Sequence, residues 1–483
     1  MIGLRPVLHI VGWLLVALAL VMAVPGMADA AADNGEWRMF AISGGLTVFV
    51  GLALVLGSRM PGPWMGLSAR QAFLATALGW LVPCGFAALP FAFGDSHLSA
   101  MDSLFEATCG LTTTGWTVLR HVHDLPSGLI LWRGLLQWVG GIGTLLTVVA
   151  VLPPLNVGGM QIFRIEMVAP GGRASPRATW IAGTLIAIYS GLTLTVAILL
   201  WVAGLAPFPA LMQAMASLST GGFAIWGTVL GPRHRDTVEL VAALGMVLGG
   251  LPFLAYLQLA QGRIGAIVRD GQVRWYLGIM VAASAVMAAW LWSTSQRGFM
   301  ASAGDGAFAV VSTMTGTGFF TDTARWRGLP EVLLIFLTLL GGCAGSTTGG
   351  IKIFRLRLLL TDALMQMRRS LRPHAVLITT FNRQTVPQEA LESVMGYVYV
   401  FALAFAALAA ALGLFGLDFT TALSGAAGAI SDSGLGLGTT IGDPGGFAAL
   451  PDGAKALLAL GMVFGRVEVF PLLVLLVPGF WRR

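Results

Sequence analysis

The sequence predicts an all-α polytopic membrane protein in which two leading helices precede four helix–loop–helix repeats gathered around one axis. Three observations carry this. The 483 residues are 56% hydrophobic and only 10% charged, with a mean hydropathy of +0.82, whereas soluble domains are about 25% charged. Apolar runs of the roughly 20 residues needed to span a bilayer recur along the whole chain. One outline also appears four times: a short apolar helix, hydroxyl residues, a glycine, then a bulky apolar side chain.

The spanning runs fall near 7–25, 37–57, 69–93, 129–153, 178–203, 237–260, 275–293, 393–416 and 454–480, with a tenth, 331–367, interrupted in its middle. They divide the chain into two leading helices (1–66) and four repeats at 67–170, 171–268, 269–388 and 389–483. Arg5, the apolar stretch Val7 to Val24 and Ala28-Asp29-Ala30 have the outline of a secretory signal with a cleavage site. The reading adopted is a retained first helix.

The four recurrences are MDSLFEATCGLTTTGW (101–116), ALMQAMASLSTGGF (210–223), DGAFAVVSTMTGTGF (305–319) and DFTTALSGAAGAISDSGL (418–435). Anchored on Gly115, Gly222, Gly318 and Gly434, each has a hydroxyl three residues earlier: Thr112, Ser219, Thr315 or Ser431. One residue later comes Trp116, Phe223, Phe319 or Leu435. Each stretch is too short to cross a bilayer, so it reads as a half-helix that enters the membrane and returns as an extended loop. Irregular backbone at that depth survives only where protein buries it or where it lines a water-filled path. Glycine permits the dihedrals that turn successive carbonyls to one side. Four such loops around one axis can replace the hydration shell of an alkali cation.

A second stretch, GGCAGSTTGGIKIFR (341–355), interrupts the last helix of the third repeat. Five glycines among small residues cannot hold a continuous helix, so the chain should break near mid-membrane and lie across the inner side of a pore as a gate. A small-residue seam for close helix packing is the alternative. A phosphate-binding loop is excluded, because Ile351 stands where its lysine would be needed.

Charge gives the orientation. With the four loops outside, 18 of the 28 basic residues fall inside, among them Arg59, Arg70, Arg164, Arg173, Arg269, Arg355, Arg383 and Arg483. Both termini are then cytoplasmic. The net charge of +6 follows from this topology, and no nucleic-acid partner is needed. Acidic residues, including Asp95, Asp102, Glu106, Asp124, Asp305, Asp322, Asp418 and Asp443, are expected outside, where they would concentrate cations at a mouth. Arg466 is an intramembrane charge and hence a functional candidate; a plain structural salt bridge is its alternative. Glu468, two positions on and about 200° around a helix, should find a different partner. Cys84, Cys109 and Cys343 read as small buried thiols. His121-Val122-His123-Asp124 reads as solvated surface and carries no metal; His97, His234 and His374 form no pairing. No nucleophile, paired-carboxylate or zinc spacing appears, so the chain is not read as an enzyme.

Taken together, GLTTTGW (110–116), LQWVGGIG (136–143), PLNVGGMQIFRIE (154–166), SLSTGGF (217–223), TGTGFF (315–320), GGCAGSTTGGIKIFR (341–355) and GRVEVF (465–470) resemble the Trk/Ktr/HKT superfamily of cation transporters, bacterial TrkH type. The resemblance covers almost the whole chain. It implies a pseudo-fourfold pore of four M1–P–M2 units, a homodimer in the bacterial inner membrane, and potassium uptake gated through a cytosolic nucleotide-binding ring of the TrkA type. The nucleotide would belong to that partner, and no bound cofactor is expected.

The resemblance assigns the selectivity filter to Thr112, Thr113, Thr114, Gly115, Ser219, Thr220, Gly221, Gly222, Thr315, Gly316, Thr317, Gly318, Ser431, Asp432, Ser433 and Gly434. Within it, K⁺ is expected at Thr113, Thr114, Thr220, Gly221, Gly316, Thr317, Asp432 and Ser433. The gate maps to Gly342, Gly345, Ser346, Thr347, Thr348, Gly349 and Gly350, with Lys352 at its inner end and Arg466 facing the pore. Gly115 argues for potassium, since plant relatives with serine there prefer sodium. The fourth loop departs from the family's N-N-x-G-P-G, reading Ser431-Asp432-Ser433-Gly434-Leu435-Gly436. A less selective Na⁺/K⁺ pathway, with H⁺ or Na⁺ coupling, is therefore the alternative. Residues 355–388, with Arg368, Arg369 and Arg372, are a candidate docking face for the ring or for anionic lipid.

Overall fold

The structure is a computed structural model that describes all residues except 1–2, 60–66, 95–97, 149–157, 160–175, 224–234, 264, 295–297, 320–325, 327, 373–378, 383, 443–445 and 483. Arg164, Glu166, Arg173, Asp95, Asp322, Asp443, Arg383, Arg483, His97, His234, His374 and most of 154–166 therefore lie outside the described residues.

Helices dominate. The leading pair is α1 (Arg5–Ala31) and α2 (Trp37–Gly57). They pack closely because glycine faces glycine: a Cβ on Gly12 would stand 2.8 Å from the Gly51 carbonyl oxygen. The first repeat contains α3 (Ala69–Ala87), α4 (Leu89–Phe93), α5 (Ala100–Leu111) and α6 (Ser127–Leu146). Asp29 lies inside α1, fully buried, and accepts from the Gly128 N–H at 2.8 Å, capping α6. That contact seats the leading pair against the first repeat.

The second repeat has α7 (Pro176–Val202), α8 (Pro207–Ser219), α9 (Arg235–Gly250) and α10 (Phe253–Ala260). After α11 (Gly265–Arg269), the third has α12 (Gly271–Thr294), α13 (Phe299–Thr315), α14 (Leu329–Leu340) and α15 (Ile353–Leu371). A two-residue hairpin pairs β1 (Thr380–Phe381) with β2 (Gln384–Thr385). The fourth repeat has α16 (Gln388–Gly413), α17 (Phe419–Ser431), α18 (Asp452–Arg466), α19 (Phe470–Leu476) and α20 (Pro478–Trp481).

Seven described helices are long and apolar enough to cross a membrane, or nine if each of two bent pairs is one span. The bends correct the expectation of a single broken helix. The second helix turns by 91° between α9 and α10, and by 113° between α18 and α19, as well as breaking in the third repeat. Gly249, Gly250 and Pro252 at the first bend, and left-handed Glu468 and Val469 followed by Pro471 at the second, account for it: glycine and proline end the hydrogen-bond ladder.

Candidate functional site: four convergent loops and the segment beneath them

The four short helices α5, α8, α13 and α17 end at Leu111, Ser219, Thr315 and Ser431, each directly before its loop. Their carbonyl ends carry the negative side of the helix dipole. Caps fix two of their outer ends: Ser99 accepts from the Asp102 N–H at 3.1 Å, and Asp418 from the Thr421 N–H at 3.1 Å.

Beyond the helix ends the loops share one backbone form. Two residues before each anchor glycine the chain is left-handed, with φ of 59° at Thr113, 55° at Thr220, 85° at Gly316 and 49° at Asp432. The anchors Gly115, Gly222 and Gly318 return to positive φ, at 82°, 77° and 78°. A β-branched threonine rarely adopts this region, and such strain concentrates at functional sites. The residue before the anchor donates back to the helix end in three loops: Thr114 N to Cys109 O, Gly221 N to Ala216 O and Ser433 N to Gly428 O, each 2.9 Å. In loops one and three, paired hydroxyls (Thr112 with Thr114, Thr315 with Thr317) lie 2.9 Å apart.

The loops close into a ring. A Cβ on Gly115 would fall 2.1 Å from the Gly221 oxygen, and one on Gly222 would fall 2.0 Å from that of Thr317. One on Gly318 would meet Gly434 Cα at 2.3 Å, and one on Gly434 would reach Thr114 O at 3.1 Å, returning to the first loop. Gly434 N also donates to Gly316 O at 2.9 Å. The anchors are therefore glycine because each touches the next loop's backbone. Trp116, Phe223, Phe319 and Leu435, which follow the four anchors, are all buried.

Two polar supports behind the ring escaped the sequence reading. Glu106, expected as an outer-mouth acid, is fully buried. It accepts from Arg133 Nε at 2.8 Å, Val118 N at 3.0 Å and Thr117 Oγ1 at 2.9 Å. Gln137 accepts from Phe223 N at 3.1 Å. Only the pairing, not the residue types, would have revealed them. Asp102, also expected as a mouth acid, pairs with Lys455 at 2.6 Å.

Residues 341–352 lie directly under the ring, pinned on three sides. Cys343 N donates to Gly250 O at 3.1 Å, Thr347 N to Gly249 O at 3.2 Å, and Phe253 N to Gly345 O at 2.8 Å, so the segment lies in the α9–α10 bend. Thr347 Oγ1 donates to Leu218 O at 3.1 Å and stands 3.2 Å from Thr220 Oγ1. Thr348 Oγ1 accepts from Gly342 N at 3.1 Å, with Ser346 Oγ 2.7 Å away. Gly349 abuts the fourth loop: a Cβ there would be 2.0 Å from Ser431 O. At the far end Gly350 and Lys352 have φ of 77° and 72°.

Buried charges surround this segment. Arg466 donates from Nη1 to Thr347 O at 3.1 Å and from Nη2 to Gly140 O at 3.4 Å. Glu468 pairs with Arg355 and, at 3.7 Å, with Lys352. Arg355, expected among the basic residues of the inner side, is fully buried, donates to Gly158 O at 2.8 Å, and lies 3.7 Å from the centre of the Tyr397 ring. Arg466 and Glu468 do have different partners, but the chain break separates them rather than 200° of helix. His123 and Asp124 form an exposed pair at 3.1 Å. The three cysteines are free and buried.

The arrangement gathers four loop backbones into one ring above a buried, hydrogen-bonded segment. It contains no nucleophile–base geometry. Residues 46–482 match the TrkH family model, described as a cation transport protein. The chain is 38% identical over 481 residues to the Trk system potassium uptake protein TrkI of Halomonas elongata, covering 99% of this chain and 97% of that one. It is 34% identical to TrkH of Escherichia coli K12, over 99% of each. The crystal structure of the potassium transporter TrkH from Vibrio parahaemolyticus superposes with a TM-score of 0.89 at 30% identity, again over 99% of each chain. With its ring of four glycine-anchored loops and its many spanning helices, this chain belongs to the TrkH family of multi-pass cation transport proteins, a transporter and not an enzyme.

Proposed function

We propose that the protein takes up K⁺ across the bacterial cytoplasmic membrane, with the four-loop ring as selectivity filter and the 341–352 segment as gate. The closed contact of Gly115, Gly222, Gly318 and Gly434 with neighbouring backbone carries this reading, because it gathers the backbones of all four loops at one place, where carbonyl oxygens can replace water around an ion. The named relatives are potassium uptake proteins. The four repeats then run 67–170, 171–268, 269–388 and 389–483. The orientation follows the basic inner loops, with both termini cytoplasmic. Arg368, Arg369 and Arg372, all exposed at the end of α15, suit docking of a cytosolic TrkA-type ring on a homodimer.

The test is ⁸⁶Rb⁺ uptake into proteoliposomes with K⁺ and Na⁺ as competitors. Competition by K⁺ alone supports the reading. Equal competition by Na⁺ would favour the second reading, a less selective Na⁺/K⁺ pathway. One observation leans that way: Gly434 does not share the positive φ of the other three anchors.

A further inference from the structure

Below the ring, the equivalent position of the four loops carries Thr113, Thr220, Gly316 and Asp432, all left-handed. Side chains here hang toward the 341–352 segment, as Thr220 Oγ1 shows by standing 3.2 Å from Thr347 Oγ1. Asp432 obeys the same geometry: a Cβ on Gly349 would lie 3.2 Å from its own Cβ. Asp432 is only 2% exposed; the Thr114 hydroxyl is the hydrogen-bonding side chain beside its carboxylate, and no donor meets either oxygen at full hydrogen-bond geometry. A buried carboxylate is costly unless a cation or donors compensate it.

The protein's own cations are held mainly by other groups, although the buried Arg466 Nε has no hydrogen-bond partner. Arg466 and Lys352 act on Asp432 electrostatically, but the Arg466 terminal nitrogens donate to Thr347 O and Gly140 O. Lys352 pairs with Glu468, which also holds Arg355. The wall facing the carboxylate is glycine: a Cβ on Gly465 would come within 3.1 Å of Oδ2. Oxygens without partners also remain at Ser431 Oγ, Ser433 Oγ and Thr113 Oγ1.

We propose that the Asp432 carboxylate is a cation-binding site at the foot of the fourth loop, between the ring and the 341–352 segment, for a partly dehydrated monovalent cation of K⁺ size. This rests on the ring conducting such ions, and it adds a side-chain anion to a path otherwise built of carbonyls. The Asp432 carboxylate offsets part of the Arg466 and Lys352 charge that would otherwise repel an ion leaving the ring.

Anomalous scattering from crystals of the full chain grown in Rb⁺ tests it, for wild type, Asp432→Asn and Asp432→Glu. The expected result is a Rb⁺ peak beside the Asp432 carboxylate that disappears in Asp432→Asn and moves in Asp432→Glu, with peaks in the ring retained in all three. Ring peaks with none at Asp432 in the wild type overturn the proposal while sparing the filter. So does a peak that survives Asp432→Asn, or an Arg466–Asp432 ion pair in its place. A peak at Asp432 without ring peaks supports the site and sinks the filter reading; no peak at either place sinks both.

Discussion

Arg466, the last residue of α18, donates to the carbonyl of Thr347 at 3.1 Å, so one buried cation of the fourth repeat fastens the segment that the third repeat lays beneath the ring. The same guanidinium reaches Gly140 O of α6 at 3.4 Å. Three repeats therefore meet on one side chain.

Replacing it should free the segment. Hydrogen bonds to charged groups contribute about 1.5–3 kcal/mol each, so Arg466→Ala is expected to raise ⁸⁶Rb⁺ flux of the isolated protein about tenfold or more. Arg466→Lys, which cannot reach both carbonyls, should fall between. Unchanged flux in both variants would remove Arg466 from the gate.

Gly115 tolerates no side chain. With φ of 82° and Gly221 O at 2.1 Å from a built Cβ, Gly115→Ser must push the first and second loops apart. Growth at low potassium of a K⁺-uptake-deficient bacterium should be weakened, and Na⁺ should compete better in vesicles. Wild-type growth and selectivity would contradict the ring.

The Glu106–Arg133 pair is structural. Breaking a buried ion pair from one side costs about 3–5 kcal/mol, so Glu106→Gln should lower the thermal midpoint in detergent by several degrees. Glu106→Gln with Arg133→Met should recover part of the loss. A double variant no better than the single would mean that the bonds to Thr117 and Val118, not the charge pair, carry the stability.

Asp418 adds a pH dependence at the N-terminus of α17. Partial burial pushes its carboxyl up, but hydrogen bonds from Thr421 and Thr439 outweigh this and hold it below the ordinary carboxylate value. A depressed carboxyl stabilises the fold above its unfolded pKa of about 3.9 and loses that contribution as pH falls through the lower folded value. Asp418→Ala should cost about 1 kcal/mol at neutral pH, the usual worth of an N-cap. The gap to wild type should close below about pH 4. A gap constant with pH would assign the loss to packing.

Much was readable from the chain. Local properties fixed the class: apolar length set the spanning helices, and the fourfold recurrence of a hydroxyl, a glycine and a bulky residue marked the loops. The glycine-rich break at 341–350 was equally visible, because helix propensity is a property of adjacent residues. Partnership was not. Glu106 looked like a mouth acid and Arg355 like an inner loop charge until each was found buried against a residue 27 and 113 positions away. The bends at 250–253 and 466–470 were hidden because the apolar runs continue across them, and hydropathy is blind to direction. What only the tertiary structure decided is which backbone each glycine touches and which carbonyl each arginine finds. Those contacts join segments far apart in the chain, and their energy depends on distance and burial rather than on sequence neighbours.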